Sequence, residues 1–157
     1  MTAVPVRWLT VFLHREPGLV ISASPAGFTF CLVSWHGEST VPGPVRLDGA
    51  GARRADAFWL DVPAGVFERE RSFWSALTGW EGQTRVRSAL PVRLELRRAS
   101  PDDRVTGHLA FACADRERLA GRHATAGARI LAVLPRETEM ADPVGLFYRL
   151  TGREMTE

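Results

Sequence analysis

The sequence predicts an α+β protein built from two successive strand–helix–strands units, with an N-terminal strand segment in front. Three observations carry that expectation. Short runs of aromatic and β-branched residues are bounded by Gly, Pro, Asp and Ser, the pattern of strands and turns. Two other stretches follow strand-like runs and read as helices, one from its apolar spacing and one from its caps. The chain has 157 residues, 45% hydrophobic and 24% charged, enough for one packed core and unlike a disordered or collagen-like chain.

Residues 1–55 hold two apolar segments, Val6 to Leu13 and Phe28 to Val33. Pro17-Gly18 and Ser24-Pro25-Ala26-Gly27 are the turn signals between them, and the Gly- and Pro-rich residues 36–55 read as a linker. The main domain is 56–152, followed by a tail, 153–157. Its first strand is Ala57 to Val62, and a helix follows over Val66 to Leu77, with Gly79 as its stop. Strands follow near Thr84–Arg87 and Val92–Arg98, then a turn at Ser100 to Asp103, then a strand from Gly107 to Ala114. Asp115 is an N-cap for a second helix over Arg116–Ala126, with Gly127 at its end. Strands over Ile130–Leu134 and Leu146–Thr151, the latter after the turn Asp142-Pro143-Val144-Gly145, complete the repeat. Residues 24–32 also align without a gap on 142–150 in turn and apolar pattern.

Net charge is +2, and every basic residue counted in it is arginine; lysine and asparagine are absent. That bias fits GC-rich codons and hence a bacterial source. Arginines alternate with acids, as in Glu68-Arg69-Glu70-Arg71 and Asp115-Arg116-Glu117-Arg118. Such runs read as solvated helix faces, not as the one-sided patch of a nucleic-acid binder. No run reaches the ~18 apolar residues of a membrane span, and Arg7 and His14-Arg15-Glu16 spoil a signal-peptide reading of the first segment. A cytoplasmic protein with no nucleic-acid or membrane partner is expected. Cys31 and Cys113 form no metal spacing and read as inert buried thiols. No P-loop, GxGxxG, HExxH or GxSxG motif occurs, and Trp35-His36-Gly37-Glu38 reads as a surface loop.

The stretches FWLDVPAGVFERERSFWSALTGWE (58–81), HLAFACADRERLAGRHATAGARI (108–130) and ADPVGLFYRLTG (141–152) resemble the vicinal oxygen chelate superfamily, in its glyoxalase-like, bleomycin-resistance-like branch. The Phe73-Trp74…Gly79-Trp80 helix end and Asp142-Pro143-x-Gly145 before a final strand carry most of the likeness. The resemblance implies paired βαβββ modules, forming a curved mixed sheet with helices on its convex side and a cleft on its concave side. Segments 6–13 and 24–40 resemble the first and last strands of an upstream copy, so residues 1–55 read as its remnant.

Enzymes of that superfamily hold a metal in the cleft on His and Glu side chains. At the four matching positions this chain has Ala57, Glu95, His108 and Arg149. Only Glu95 and His108 can ligate, and neither a metal nor another cofactor is expected. His108 also suits a structural hydrogen bond or a ligand contact, and Glu95 an ion pair with Arg93, Arg97 or Arg149.

Strand side chains alternate between faces. The more apolar set, such as Phe58, Leu109, Phe111 and Tyr148, is expected under the helices. The other set gives the expected ligand-binding residues: Trp59, Arg93, Glu95, Arg97, His108, Phe147 and Arg149, over a floor of Ala57 and Ala110. Aromatic walls and arginines suit a small aromatic or anionic molecule, unless 93–97 is an exposed edge whose arginines only keep it soluble. The leading expectation is metal-free binding of a small molecule. The alternatives are a metal-dependent lyase or dioxygenase of the same superfamily, and a homo-oligomeric interaction protein. A homodimer fits any of the three, because leftover N-terminal strands need a partner edge.

Overall fold

The computed structural model describes residues 11–34, 44–47, 51–79 and 92–152. The reading of Trp35 to Glu38, the strand near Thr84–Arg87 and the tail 153–157 lie outside them. The described strands are β1 Val11–Glu16, β2 Leu19–Ala23, β3 Thr29–Val33, β4 Val45–Leu47, β5 Gly51–Pro63, β6 Arg93–Ala99, β7 Thr106–Cys113, β8 Arg129–Val133, β9 Glu137–Ala141 and β10 Phe147–Gly152. The helices are α1 Phe67–Thr78 and α2 Arg116–Thr125. This is an α+β fold, with an antiparallel sheet β1-β2-β3 and a seven-stranded sheet of order β4-β5-β7-β10-β9-β8, in which β6 also pairs with β5. No helix among the described residues is long and apolar enough to cross a membrane.

The chain divides into two compact units, whose described residues are 11–34, 60–79 and 96–106 in one, and 44–47, 51–59, 92–95 and 107–152 in the other. In the first unit, β1 and β2 form a hairpin across Pro17-Gly18. Gly18 has φ 81°, the positive φ that the residue after such a turn proline takes up. β2 and β3 pair from Leu19↔Val33 to Ala23↔Thr29. β2 is absent from the sequence reading because Leu-Val-Ile-Ser-Ala lacks a clean polar alternation, yet only Ser22 is fully buried on it.

This meander is clasped to α1. The Phe30 ring centre lies 5.0 Å from that of Trp74 and 5.8 Å from that of Phe73, both tilted, and Phe28 lies 6.4 Å from Trp74. Glu70 is completely buried. One carboxylate oxygen accepts the Ala26 backbone N–H and the other the Trp74 indole N–H, both at 2.8 Å. Here the expectation of a solvated Glu68–Arg71 face fails. Glu70 and Trp74 are four positions apart, which places both on one helix face, and the pair closes over the turn. Glu68 and Arg71 do face solvent and pair with each other at 2.8 Å.

In the second unit, β7-α2-β8-β9-β10 is a complete βαβββ module. Asp115 caps α2 by accepting the Arg118 N–H at 2.9 Å. α2 buries Leu119 and Ala120 against Cys113, Met140 and Leu150. β10 pairs parallel with β7, placing Arg149 beside Ala110, and antiparallel with β9, placing Arg149 opposite Glu139. β9 is the other strand missing from the sequence reading: Glu-Thr-Glu-Met-Ala has charged residues on one face, yet buries Thr138 and Met140 on the other. Residues 45–47 and 51–53, read as linker, pair as a hairpin, and 51–55 lead into the long β5. Cys31 is exposed, contrary to expectation, while Cys113 is buried.

The turns before β3 and β10 share one hydrogen-bond pattern. Ser24 N–H donates to Phe28 O at 2.8 Å, Gly27 N–H to Ser24 O at 2.8 Å, and Phe28 N–H to Ser24 Oγ at 3.1 Å. Asp142 N–H donates to Leu146 O at 2.9 Å, Gly145 N–H to Asp142 O at 3.0 Å, and Leu146 N–H to Asp142 Oδ1 at 2.7 Å. Gly27 and Gly145 have φ of 88° and 93°, a conformation in which a Cβ is strained.

Glu70→Ala strips the partner from two donors held in the α1 clasp. It should cost about 3 kcal/mol, read as a lower urea midpoint at unchanged slope. A loss below about 0.5 kcal/mol would show that the clasp does not hold this unit together.

Candidate functional site

The sheet of the second unit has two unlike faces. The face opposite α2 is crossed by Arg149, which is fully buried. Its guanidinium lies 3.0 Å from Glu139 and 3.3 Å from Glu137. Glu139 is its direct cross-strand neighbour and Glu137 its diagonal one, the two positions from which strand pairs interact. The guanidinium carbon also lies 5.2 Å from the Trp59 ring centre and 5.4 Å from that of Phe147, within cation–π range. His108 meets Phe147 edge to face at 4.6 Å. Ala57, Ala110 and Ala112 are buried on the same face, and their small side chains leave room for the long arginine. Among the described residues, Arg149 Nε and Trp59 Nε1 have no hydrogen-bond partner.

Four of the expected site residues, Trp59, His108, Phe147 and Arg149, are thus brought together. Arg93 stands apart in an ion-pair chain, bonded to Asp56 and 2.7 Å from Glu95. Arg97 belongs to the other unit, where its guanidinium grips Asp61 at 2.7 and 3.1 Å. Glu137 and Glu139 are the residues that sequence reasoning missed. The signal for them was the two-residue alternation of Glu137-Thr138-Glu139-Met140.

On the α2 face lies a cavity of about 550 Å³. Phe58, Leu109, Phe111 and Leu146 wall it, Tyr148, His123 and Asp142 add polar groups, and the expected site residues His108 and Phe147 also touch it. α2 covers the C-terminal ends of β7 and β10 but not their beginnings, where Leu109 and Leu146 are exposed. His123 Nδ1 is 2.7 Å from Tyr148 Oη, and Arg53 Nη1 is 3.4 Å from His123 Nε2. Burial, then the Arg53 cation, lowers the His123 pKa below the ordinary histidine value. Burial, reinforced by the Asp142 carboxylate and opposed by Arg53, raises that of the Tyr148 phenol. Both groups are therefore held neutral around pH 7.

A family model described as the glyoxalase-like domain matches residues 45–151, from β4 through the complete βαβββ module. The chain belongs to that family. Its superfamily is the vicinal oxygen chelate fold. No curated protein matches the chain.

The metal that this superfamily employs does not fit the residues of this glyoxalase-like domain. A divalent ion needs several converging donors that carry lone pairs. Arg149, a permanent cation with no acceptor atom, occupies the last-strand position and engages the two nearest carboxylates. Ala57 offers no donor, and Glu95 is committed to Arg93. Among the described residues, no group of three or more His, Cys, Asp or Glu could hold a metal ion.

Titration of the chelator-treated protein with Ni²⁺, Zn²⁺, Mn²⁺ or Fe²⁺ should give no saturable rise in melting temperature. A rise that His108→Ala abolishes would restore a metal centre. The lowered pKa of His123 also sets a pH dependence. The unfolded chain takes up this proton near the ordinary value of about 6.5, while the folded chain resists it. His123's contribution to stability is therefore complete above that value and declines as pH falls toward the folded pKa. Melting temperatures between about pH 8 and about pH 5 should fall less steeply in His123→Gln. Equal slopes in the two proteins would remove His123 as the cause.

Proposed function

We propose that this glyoxalase-like protein binds a small, mainly aromatic molecule without a metal, in the cavity beside α2. One observation carries the reading: the cavity of about 550 Å³ has mainly aromatic and aliphatic walls, into which the hydrogen-bonded pair His123 and Tyr148 brings polar groups. That size and composition are typical of sites that enclose small ligands. An anionic ligand on the opposite face has less support, because the arginines there are already engaged. Arg93 pairs with Asp56 and Glu95, and Arg149 with Glu137 and Glu139.

A ligand that binds only the folded chain, at about a hundred times its Kd, adds about 2.7 kcal/mol of stability. A screen of neutral and charged aromatics of one or two rings should therefore find compounds that raise the melting temperature by several degrees. Ala128 lines the cavity, so Ala128→Leu should fill part of it and abolish the rise. If no aromatic gives a saturable shift, or if Ala128→Leu leaves the shift unchanged, the reading fails.

We also propose that residues 11–34 descend from the closing strands of an upstream module. Its support is the turn pattern shared by the entries to β3 and β10, each following a meander strand. A relative with an intact upstream module should align 11–34 with that module's last three strands. Alignment elsewhere would refute the descent.

A further inference from the structure

We infer that the ligand of this cavity is neutral and carries a hydrogen-bond acceptor, a carbonyl or ether oxygen, to which the Tyr148 hydroxyl donates. The inference rests on the binding reading above and adds the chemical class of the ligand.

A guanidinium has donors only. With Arg53 Nη1 at 3.4 Å, His123 Nε2 must present its lone pair. A neutral imidazole has one N–H, so that proton sits on Nδ1. Nδ1–H then donates to Tyr148 Oη at 2.7 Å. Tyr148 is thereby the acceptor in this pair, and its own O–H stays unspent. Among the described residues, His123 is the hydroxyl's one hydrogen-bond partner. The same side chain lines the cavity.

Arg53 and His123 thus act as positioning residues, fixing an O–H donor in a mainly apolar wall. A hydrocarbon there buries the donor without a partner, whereas an oxygen acceptor satisfies it. An anion is disfavoured by Asp142, whose carboxylate lines the cavity, and by the neutral state of His123. The Asp142 Oδ1 is itself occupied by the backbone N–H groups of Val144 at 3.0 Å and Leu146 at 2.7 Å.

The test compares acetophenone, ethylbenzene and benzoate, three benzene derivatives of similar size, by ligand-observed NMR titration at neutral pH. Acetophenone should bind the wild-type chain about tenfold more tightly than ethylbenzene, the value of one neutral hydrogen bond. Benzoate should bind more weakly than acetophenone. In Tyr148→Phe, acetophenone and ethylbenzene should bind alike. Arg53→Ala keeps the hydroxyl but frees His123 to carry its proton on Nε2 and accept from Tyr148. The preference for acetophenone should then shrink even with Tyr148 in place, an effect that loss of packing would not produce. Equal wild-type affinity for acetophenone and ethylbenzene, tightest binding of benzoate, or a preference that survives Tyr148→Phe would each overturn this inference while leaving an aromatic-binding cavity. Failure of all three compounds to bind the wild-type chain would overturn the binding reading itself.

Discussion

A fully buried arginine governs the second unit. Arg149 cannot shed its charge, and an unpaired buried charge costs several kcal/mol. The strand face that receives it must therefore supply carboxylates, and β9 supplies Glu137 and Glu139. It must also supply space, which Ala57, Ala110 and Ala112 leave by being small. Trp59 and Phe147 close over the guanidinium with their ring faces. The result is a polar face on which the one guanidinium is fully engaged by two carboxylates.

Successive strand residues point to opposite sides, so fixing Arg149 on one face fixes Tyr148 on the other. The α2 face is where binding capacity remains, and helix length explains why. α2 has ten residues and spans about 15 Å, whereas the eight residues of β7 span about 26 Å. The helix packs on Cys113, Met140 and Leu150 and runs out before it reaches Leu109 and Leu146. His123, in its last turn, sits at that boundary and hydrogen-bonds to Tyr148. The cavity is the stretch of sheet that a short helix leaves uncovered.

Much of this was legible in the residues. Turn residues and helix caps are local devices, and they placed Asp115, Gly79 and the Asp142-Pro143-Val144-Gly145 turn correctly. Alternation put Trp59, His108, Phe147 and Arg149 together, away from Tyr148 and Phe111, and the three-dimensional structure gathers the four. Local pattern failed where charge and burial coincide. Glu70 looks like one member of a solvated run but is clasped between Trp74 and Ala26. β9 looks too charged for an interior strand because its glutamates exist to meet Arg149. β2 lacks a clean polar alternation and the β4–β5 hairpin has the Gly- and Pro-rich composition of a linker, so pairing between strands decided both.

The sequence by itself determined the strand–helix–strands order of the closing module, the N-cap of α2 and the parity of each strand, because all three depend on residues close together in the chain. It also supplied the resemblance to the glyoxalase-like family, whose model matches residues 45–151. The tertiary structure alone decided that the buried arginine meets two carboxylates, that α2 stops short of the strand starts, and that Arg53 arrives beside His123, seventy residues away. Those outcomes depend on which distant carboxylate, ring or guanidinium arrives beside a given side chain, and no local periodicity encodes that arrival.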